Sequence, residues 1–204
     1  MRLRQRFRFG RRLSSAVLAA AMLPPASAMA QEQRYLVLDE IKFGALAHDV
    51  AFAGGKEGGA DINGEVLFAL PAPMAAGLVP SSLGWLVRPR LDLGFEANTS
   101  GYTSQGYFGL TWTPLSVRDL LRPGDGLDFD ASFGPAFNNG LIRSQRPDRK
   151  SLGSHVLFRI SFELGYRLTP RYEVSVFFDH ASNAGFAREN QSINDAGLRF
   201  GIRF

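Results

Sequence analysis

From Ile41 to the C-terminus, apolar and polar residues alternate with a period of two, the pattern of strands that bury one face in an apolar medium and turn the other to polar surroundings. The longest clean run sets Val156, Phe158, Ile160, Phe162, Leu164 and Tyr166 against His155, Arg159, Ser161 and Glu163. Seven more runs of the same kind cover 41–48, 65–70, 85–96, 107–112, 127–133, 171–182 and 194–204. The pattern therefore predicts eight strands in an all-β fold. It shows no helical repeat and no low-complexity tract.

Alternation does not say which face is inside. A soluble barrel turns the apolar face inward, and a membrane barrel turns it outward. The N-terminus bears on this choice. Arg2, Arg4, Arg6, Arg8, Arg11 and Arg12 precede an apolar run from Leu13 to Leu23, and Ala28-Met29-Ala30 has the small-x-small form of a cleavage site. Residues 1–30 read as a signal peptide for export, leaving 31–204 as one domain. Of the chain's 23 basic residues six lie in that segment, with none of the 19 acidic ones, so residues 31–204 carry a formal charge of −2. The basicity belongs to targeting, and no nucleic-acid partner is expected.

No cysteine is present, which removes disulfides and thiolate chemistry and leaves stability to packing and strand pairing. After the signal, no apolar run approaches the roughly 18 residues of a spanning helix, so a membrane-spanning form must be a closed barrel. Aromatic residues near strand ends (Trp85, Trp112, Tyr166, Tyr172, Phe204) and a polar face holding both arginines and carboxylates favour that form. The expectation is an eight-stranded antiparallel transmembrane β-barrel of the outer membrane of a Gram-negative bacterium, with a lumen filled by side chains rather than a pore.

The seventh run carries the candidate chemistry. Tyr172, Val174, Val176, Phe178, His180 and Ser182 share one face, so a histidine and a serine close an apolar stripe. A hydroxyl two residues from an imidazole can serve as nucleophile and base in ester cleavage. Taken alone, the pair fits rim residues that hydrogen-bond to lipid head groups better than it fits catalysis. His48 and His155 read as lumen or rim residues. Asp49, Glu57, Asp61 and Asn63 read as solvated loop groups rather than as ligands of a divalent cation.

Several segments taken together, Gly44-Ala45-Leu46-Ala47-His48-Asp49-Val50, Leu152-Gly153-Ser154, Glu163-Leu164-Gly165-Tyr166 and His180-x-Ser182-Asn183-Ala184-Gly185 with Asn190 downstream, resemble the PagL lipid A 3-O-deacylases. The resemblance spans roughly Ile41 to Phe204. It implies hydrolysis of the ester-linked acyl chain at the 3-position of lipid A in the outer leaflet, with Ser182 as nucleophile and His180 as base. It also implies oxyanion or site support from Asn183, Gly185, Asn190 and Phe158.

The family's triad acid is a glutamate, and the matching residue here is Asn194. An amide can accept the imidazole N–H but carries no charge to stabilise an imidazolium; in a serine protease the acid-to-amide change costs about 10⁴ in turnover. Glu189, in the preceding loop, is the alternative acid. The resemblance thus leaves two functions: a carboxylic ester hydrolase acting on lipid A, weakened by Asn194, or a non-catalytic barrel that binds lipopolysaccharide or stabilises the envelope. Neither calls for a cofactor or a metal. Lipopolysaccharide is the expected partner in both, and a homodimer is compatible with either.

Overall fold

The computed structural model describes residues 36–50, 55–71 and 79–204. The expected signal peptide lies outside the described residues. Eight strands form a closed antiparallel barrel in sequence order: β1 (Val37–Ala47), β2 (Ala60–Ala69), β3 (Arg90–Asn98), β4 (Gln105–Arg118), β5 (Gly126–Asn138), β6 (Val156–Arg167), β7 (Tyr172–Ser182) and β8 (Ile193–Arg203). Closure comes from β1 pairing with β8, for example Phe43 opposite Phe200, so no strand edge is left open. The connections after β1, β3, β5 and β7 gather at one end of the barrel, which also holds His180 and Ser182; both termini of the sheet lie at the other.

The barrel is inverted relative to a soluble protein. Along β6 every residue from Val156 to Gly165 alternates exposed and buried, with Phe158, Ile160, Phe162 and Leu164 outside and Arg159, Ser161 and Glu163 inside. Val176 and Leu198 likewise face out and Arg199 faces in. An exposed apolar belt of this kind is stable in hydrocarbon, where every backbone polar group is paired within the sheet.

Inside, charge replaces the usual apolar core. Lys42 Nζ donates to Glu163 at 2.7 Å and Asp130 at 3.2 Å, Arg90 binds Asp39, Glu40 and Asp130, and Arg199 Nη2 lies 2.6 Å from Glu65. Removing one member of such a buried set strands its partners, at a cost of about 3–5 kcal/mol. Phe177 also points inward, with Arg199 4.3 Å from its ring centroid, a cation–π contact that the polar reading of this face did not include. Lumen glycines make room for the large groups: a side chain at Gly94 would collide with the Tyr107 ring.

Several strand limits differ from the alternation: β1 starts earlier, at Val37, β4 runs on to Arg118 and β5 to Asn138, and the starts of β3 and β2 move as well. The third run was expected from Trp85, but Ser81–Val87 forms a 3₁₀ helix and β3 begins at Arg90. Pro80, with φ −54°, opens the turn, and its carbonyl accepts the Leu83 N–H at 2.9 Å. Trp112 Nε1 then ties the turn to β4 by donating to Leu86 O at 2.9 Å. The second run begins five residues earlier than expected, at Ala60 opposite Ala47. That extension carries Asp61 and Asn63 into the lumen, each 1% exposed, so they are not solvated loop groups.

Candidate active site

β7 and β8 pair so that His180 lies opposite Asn194, while Phe158 of β6 lies opposite Ser182. This register puts a hydroxyl, an imidazole and an amide in line on the outward face. Ser182 Oγ is 3.1 Å from His180 Nε2, and His180 Nδ1 is 2.7 Å from Asn194 Oδ1. An amide oxygen can only accept, so Nδ1 carries the hydrogen and Nε2 presents its lone pair to the serine. This is the tautomer a general base requires.

The amide itself is held from behind. Asn194 is buried, and its main-chain carbonyl accepts the N–H of Val50 at 2.7 Å, which fixes the backbone that carries the amide. Beneath it Leu152, Leu157, Ala181 and Ile193 form a small apolar cluster that plugs this end of the lumen. The ring therefore packs against a fixed sheet rather than a loop.

Glu189, the alternative acid, is elsewhere. Its carboxylate lies 3.6 Å from Arg143 Nε, and the partners of the His180 ring are Asn194 and Ser182. A backbone reason accounts for this: the Glu189 carbonyl accepts Asn183 Nδ2 at 2.6 Å, which fixes the residue's place in the loop.

The expected oxyanion group is also rearranged. Asn183 is buried, and its side-chain amide donates to Leu152 O at 2.7 Å as well as to Glu189 O. Its Oδ1 accepts the Gly185 N–H at 2.9 Å, and its own N–H donates to Asn190 Oδ1 at 3.1 Å. Asn183 and Gly185 thus spend on the loop the donors assigned to an oxyanion, and the side chain of Asn183 acts as a staple. With Ala184 at φ +54° and Gly185 at φ +81°, the Phe186 N–H returns to Asn183 O at 3.0 Å, a turn of the two-positive-φ type. Asn190 uses its oxygen on Asn183 and keeps its NH₂ group as an available donor among the described residues.

Sequence reasoning passed over what seats this loop. Lys150 Nζ donates to Ser192 O at 2.8 Å, the Ser151 N–H donates to Gln191 Oε1 at 2.7 Å, and the Gln191 N–H returns to Ser151 O at 3.0 Å. Gly153 sits at φ +74°, where a side chain would collide with the Glu189 carbonyl. The glycine in Leu152-Gly153-Ser154 was the available signal, but its partner thirty-six residues on was not visible.

On the outer surface, Phe186, Phe158 and Phe133 form a row with ring centroids 5.9 Å and 6.3 Å apart. Phe186 is 84% exposed. This row begins beside Ser182 and gives an apolar chain a surface to lie on.

His48, a second histidine at this end, lies inside the barrel. Its Nδ1 is 2.8 Å from Asp61 and 3.2 Å from Asp195, and its Nε2 is 3.4 Å from Glu57. Burial disfavours the charged ring, but hydrogen bonds with Asp195, Asp61 and Glu57 outweigh it and push the pKa up to about 12. Burial raises the pKa of Glu57, yet His48 and the N–H groups of Lys150 and Thr103 draw it down to about 2. His155 is exposed at the rim.

Comparison with known proteins adds a sequence relationship to this geometry. A family model described as lipid A 3-O-deacylase (PagL) matches residues 80–203, more than half of the chain. The crystal structure of the outer membrane enzyme PagL superposes with a TM-score of 0.58 at 17% identity, over 81% of this chain and 99% of that one. The N-terminal β-barrel domain of Pseudomonas aeruginosa OprF gives 0.49 at 15% identity, over 83% and 100%. Ail, the attachment invasion locus protein of Yersinia pestis, gives 0.40 at 12%, over 83% and 100%. No curated protein sequence matches the chain.

Proposed function

Since the chain belongs to the PagL family of lipid A 3-O-deacylases, outer-membrane β-barrel hydrolases, we propose that Ser182, His180 and Asn194 are its hydrolytic centre. The observation that carries this reading is the unbroken line from Asn194 Oδ1 through both ring nitrogens to Ser182 Oγ. Ser182 Oγ attacks the carbonyl of the 3-linked acyl ester while His180 Nε2 takes its proton. The tetrahedral intermediate collapses as the same proton passes to the departing 3-oxygen of the sugar, which leaves as a hydroxyl with the acyl group on Ser182. Water, activated by His180, then releases the fatty acid.

Asn194 holds the ring and its tautomer, as the asparagine of papain-like proteases does. It adds no charge to stabilise the imidazolium, so slow turnover is the expected consequence. In this reading the Asn190 NH₂, not used within the loop, serves as the donor to the developing oxyanion, a contribution of about 2.7–4 kcal/mol where such a donor is well aligned. The acyl chain lies against Phe158 and Phe186, and the sugar sits at the level of the loops.

The test is mass analysis of lipid A incubated with the folded barrel. Loss of one 3-hydroxy fatty acid with the native chain, and intact lipid A with Ser182→Ala, is the expected result. Fully acylated lipid A with both proteins would instead favour the non-catalytic lipopolysaccharide-binding barrel, the reading to which the amide at 194 gives weight.

A further inference from the structure

On the lumen side of the same strands, one residue away from His180 and Asn194, Asp179 and Asp195 lie opposite each other. Glu96 of β3 completes a group of three buried carboxylates, each offering an oxygen within 4.8 Å of the other two. One oxygen of each is satisfied. Asp179 Oδ2 accepts Arg159 Nε at 2.6 Å, Asp195 Oδ1 accepts the Asp49 N–H at 2.7 Å, and Glu96 Oε2 accepts Gln105 Nε2. The other three, Glu96 Oε1, Asp179 Oδ1 and Asp195 Oδ2, accept no hydrogen bond, although the residues are at most 1% exposed.

A fourth orphan belongs to a neutral side chain. Asn63, opposite Glu96 in the β2–β3 register and 1% exposed, donates its amide to Phe95 O and Tyr107 Oη and leaves Oδ1 without a donor. Charge is unbalanced in the same place. Against three carboxylates stands one guanidinium, Arg159, whose Nη2 is 3.5 Å from Glu96 Oε1; the imidazole of His48 lies 3.2 Å from the oxygen of Asp195 that is already bonded. Elsewhere in the lumen such oxygens face lysine or arginine, because an uncompensated buried carboxylate is costly.

We propose that Glu96, Asp179 and Asp195, with the amide oxygen of Asn63, bind one hard divalent cation of the calcium type in the outer part of the lumen. All four donors are oxygen, and no thiolate or thioether is among them, which selects against soft metals. The three carboxylates each bring an oxygen close enough to the other two to share one ion, and calcium, with bonds of about 2.3–2.6 Å, accepts irregular sets of carboxylate and amide oxygens that magnesium resists. The neighbouring group of His48, Asp61 and Asp195 is a poorer site, since its ring nitrogen is already hydrogen-bonded to Asp61 at 2.8 Å. The ion ties β2, β3, β7 and β8 together across the lumen directly behind the hydrolytic line, and the hydrolysis itself does not pass through it.

The experiment uses full barrel refolded from denaturant into detergent, free of lipopolysaccharide and stripped with chelator, with folding verified by heat-modifiable gel migration. Calorimetric titration with calcium chloride is expected to show one site per barrel, in or below the 10⁻⁴–10⁻³ M range of extracellular calcium modules, together with a calcium-dependent rise in melting temperature. Glu96→Gln, nearly isosteric, and Asp179→Asn should each weaken binding at least tenfold, while Asp148→Asn in the exposed loop leaves it unchanged. Absence of uptake by the folded native barrel overturns the proposal, as does uptake that neither lumen variant alters. A Glu96→Gln barrel more stable in chelator than a native barrel that takes up no calcium would assign the cluster to a shared proton instead. No readout involves lipid A, so this outcome is independent of the hydrolytic reading.

Discussion

Two of the three histidines at the outer end of the barrel, His48 and His180, have opposite environments. His48 is inside, between Asp61, Asp195 and Glu57; His180 is on the outward face, between an amide and a hydroxyl. Three carboxylates hold His48 as an imidazolium across the ordinary pH range, which suits a structural cation and leaves it no lone pair to take a proton. At His180 the Asn194 oxygen orients the ring without a charge, and Nε2 remains a base. The lesson is that a histidine's chemistry is set by the formal charge of what its ring nitrogens touch, more than by its position along the barrel.

The largest expected effect separates the pair by function. His180→Gln should lower deacylation by at least about 10³-fold, the scale of a lost general base, while His48→Gln keeps turnover within a few-fold and lowers the melting temperature. Equal losses of activity in the two variants, measured as released 3-hydroxy fatty acid on folded protein, would erase the distinction.

Next in size is the charge behind His180. Asn194→Glu should raise turnover by about 10²-fold, less than the roughly 10⁴-fold that the reverse change costs a serine protease, because Val50 and the strand register already hold residue 194 in place. A gain confined to KM, with kcat unchanged, would show that the carboxylate acts on binding and not on the imidazolium.

Stability against pH sharpens the contrast from the other side. His48 binds its proton more tightly folded than unfolded, so its contribution is complete below about pH 6.5 and is lost as pH rises towards 12. In chelator, the melting temperature of the native barrel should fall more steeply between pH 7 and 10 than that of His48→Gln. Parallel slopes would mean that the carboxylates do not hold the ring charged.

The smallest effect is expected at the acid that the loop displaces. With its carboxylate on Arg143, Glu189→Gln should change kcat by less than about twofold, against the roughly 10⁴-fold loss that neutralising a triad acid brings in a serine protease. A large loss would place Glu189 on the His180 ring during turnover.

What could be read directly from residues was whatever depends on near neighbours. Period-two alternation put Phe158 and Arg159 on opposite faces and His180 and Ser182 on the same one, because the strand backbone turns successive side chains to opposite sides whatever surrounds them, and the export signal with the aromatic strand ends chose the outward direction for the apolar face. Tertiary structure alone decided the rest. The choice of Asn194 over Glu189 came from the β7–β8 register. The conversion of Asn183 from oxyanion donor to loop staple came from the approach of Leu152 and Gly153. The burial of Asp61 and Asn63 came from the extension of β2 along β1. Each depends on groups distant in the chain meeting across a closed barrel, and no local pattern encodes which unsatisfied donor will reach which carbonyl once the loops are packed.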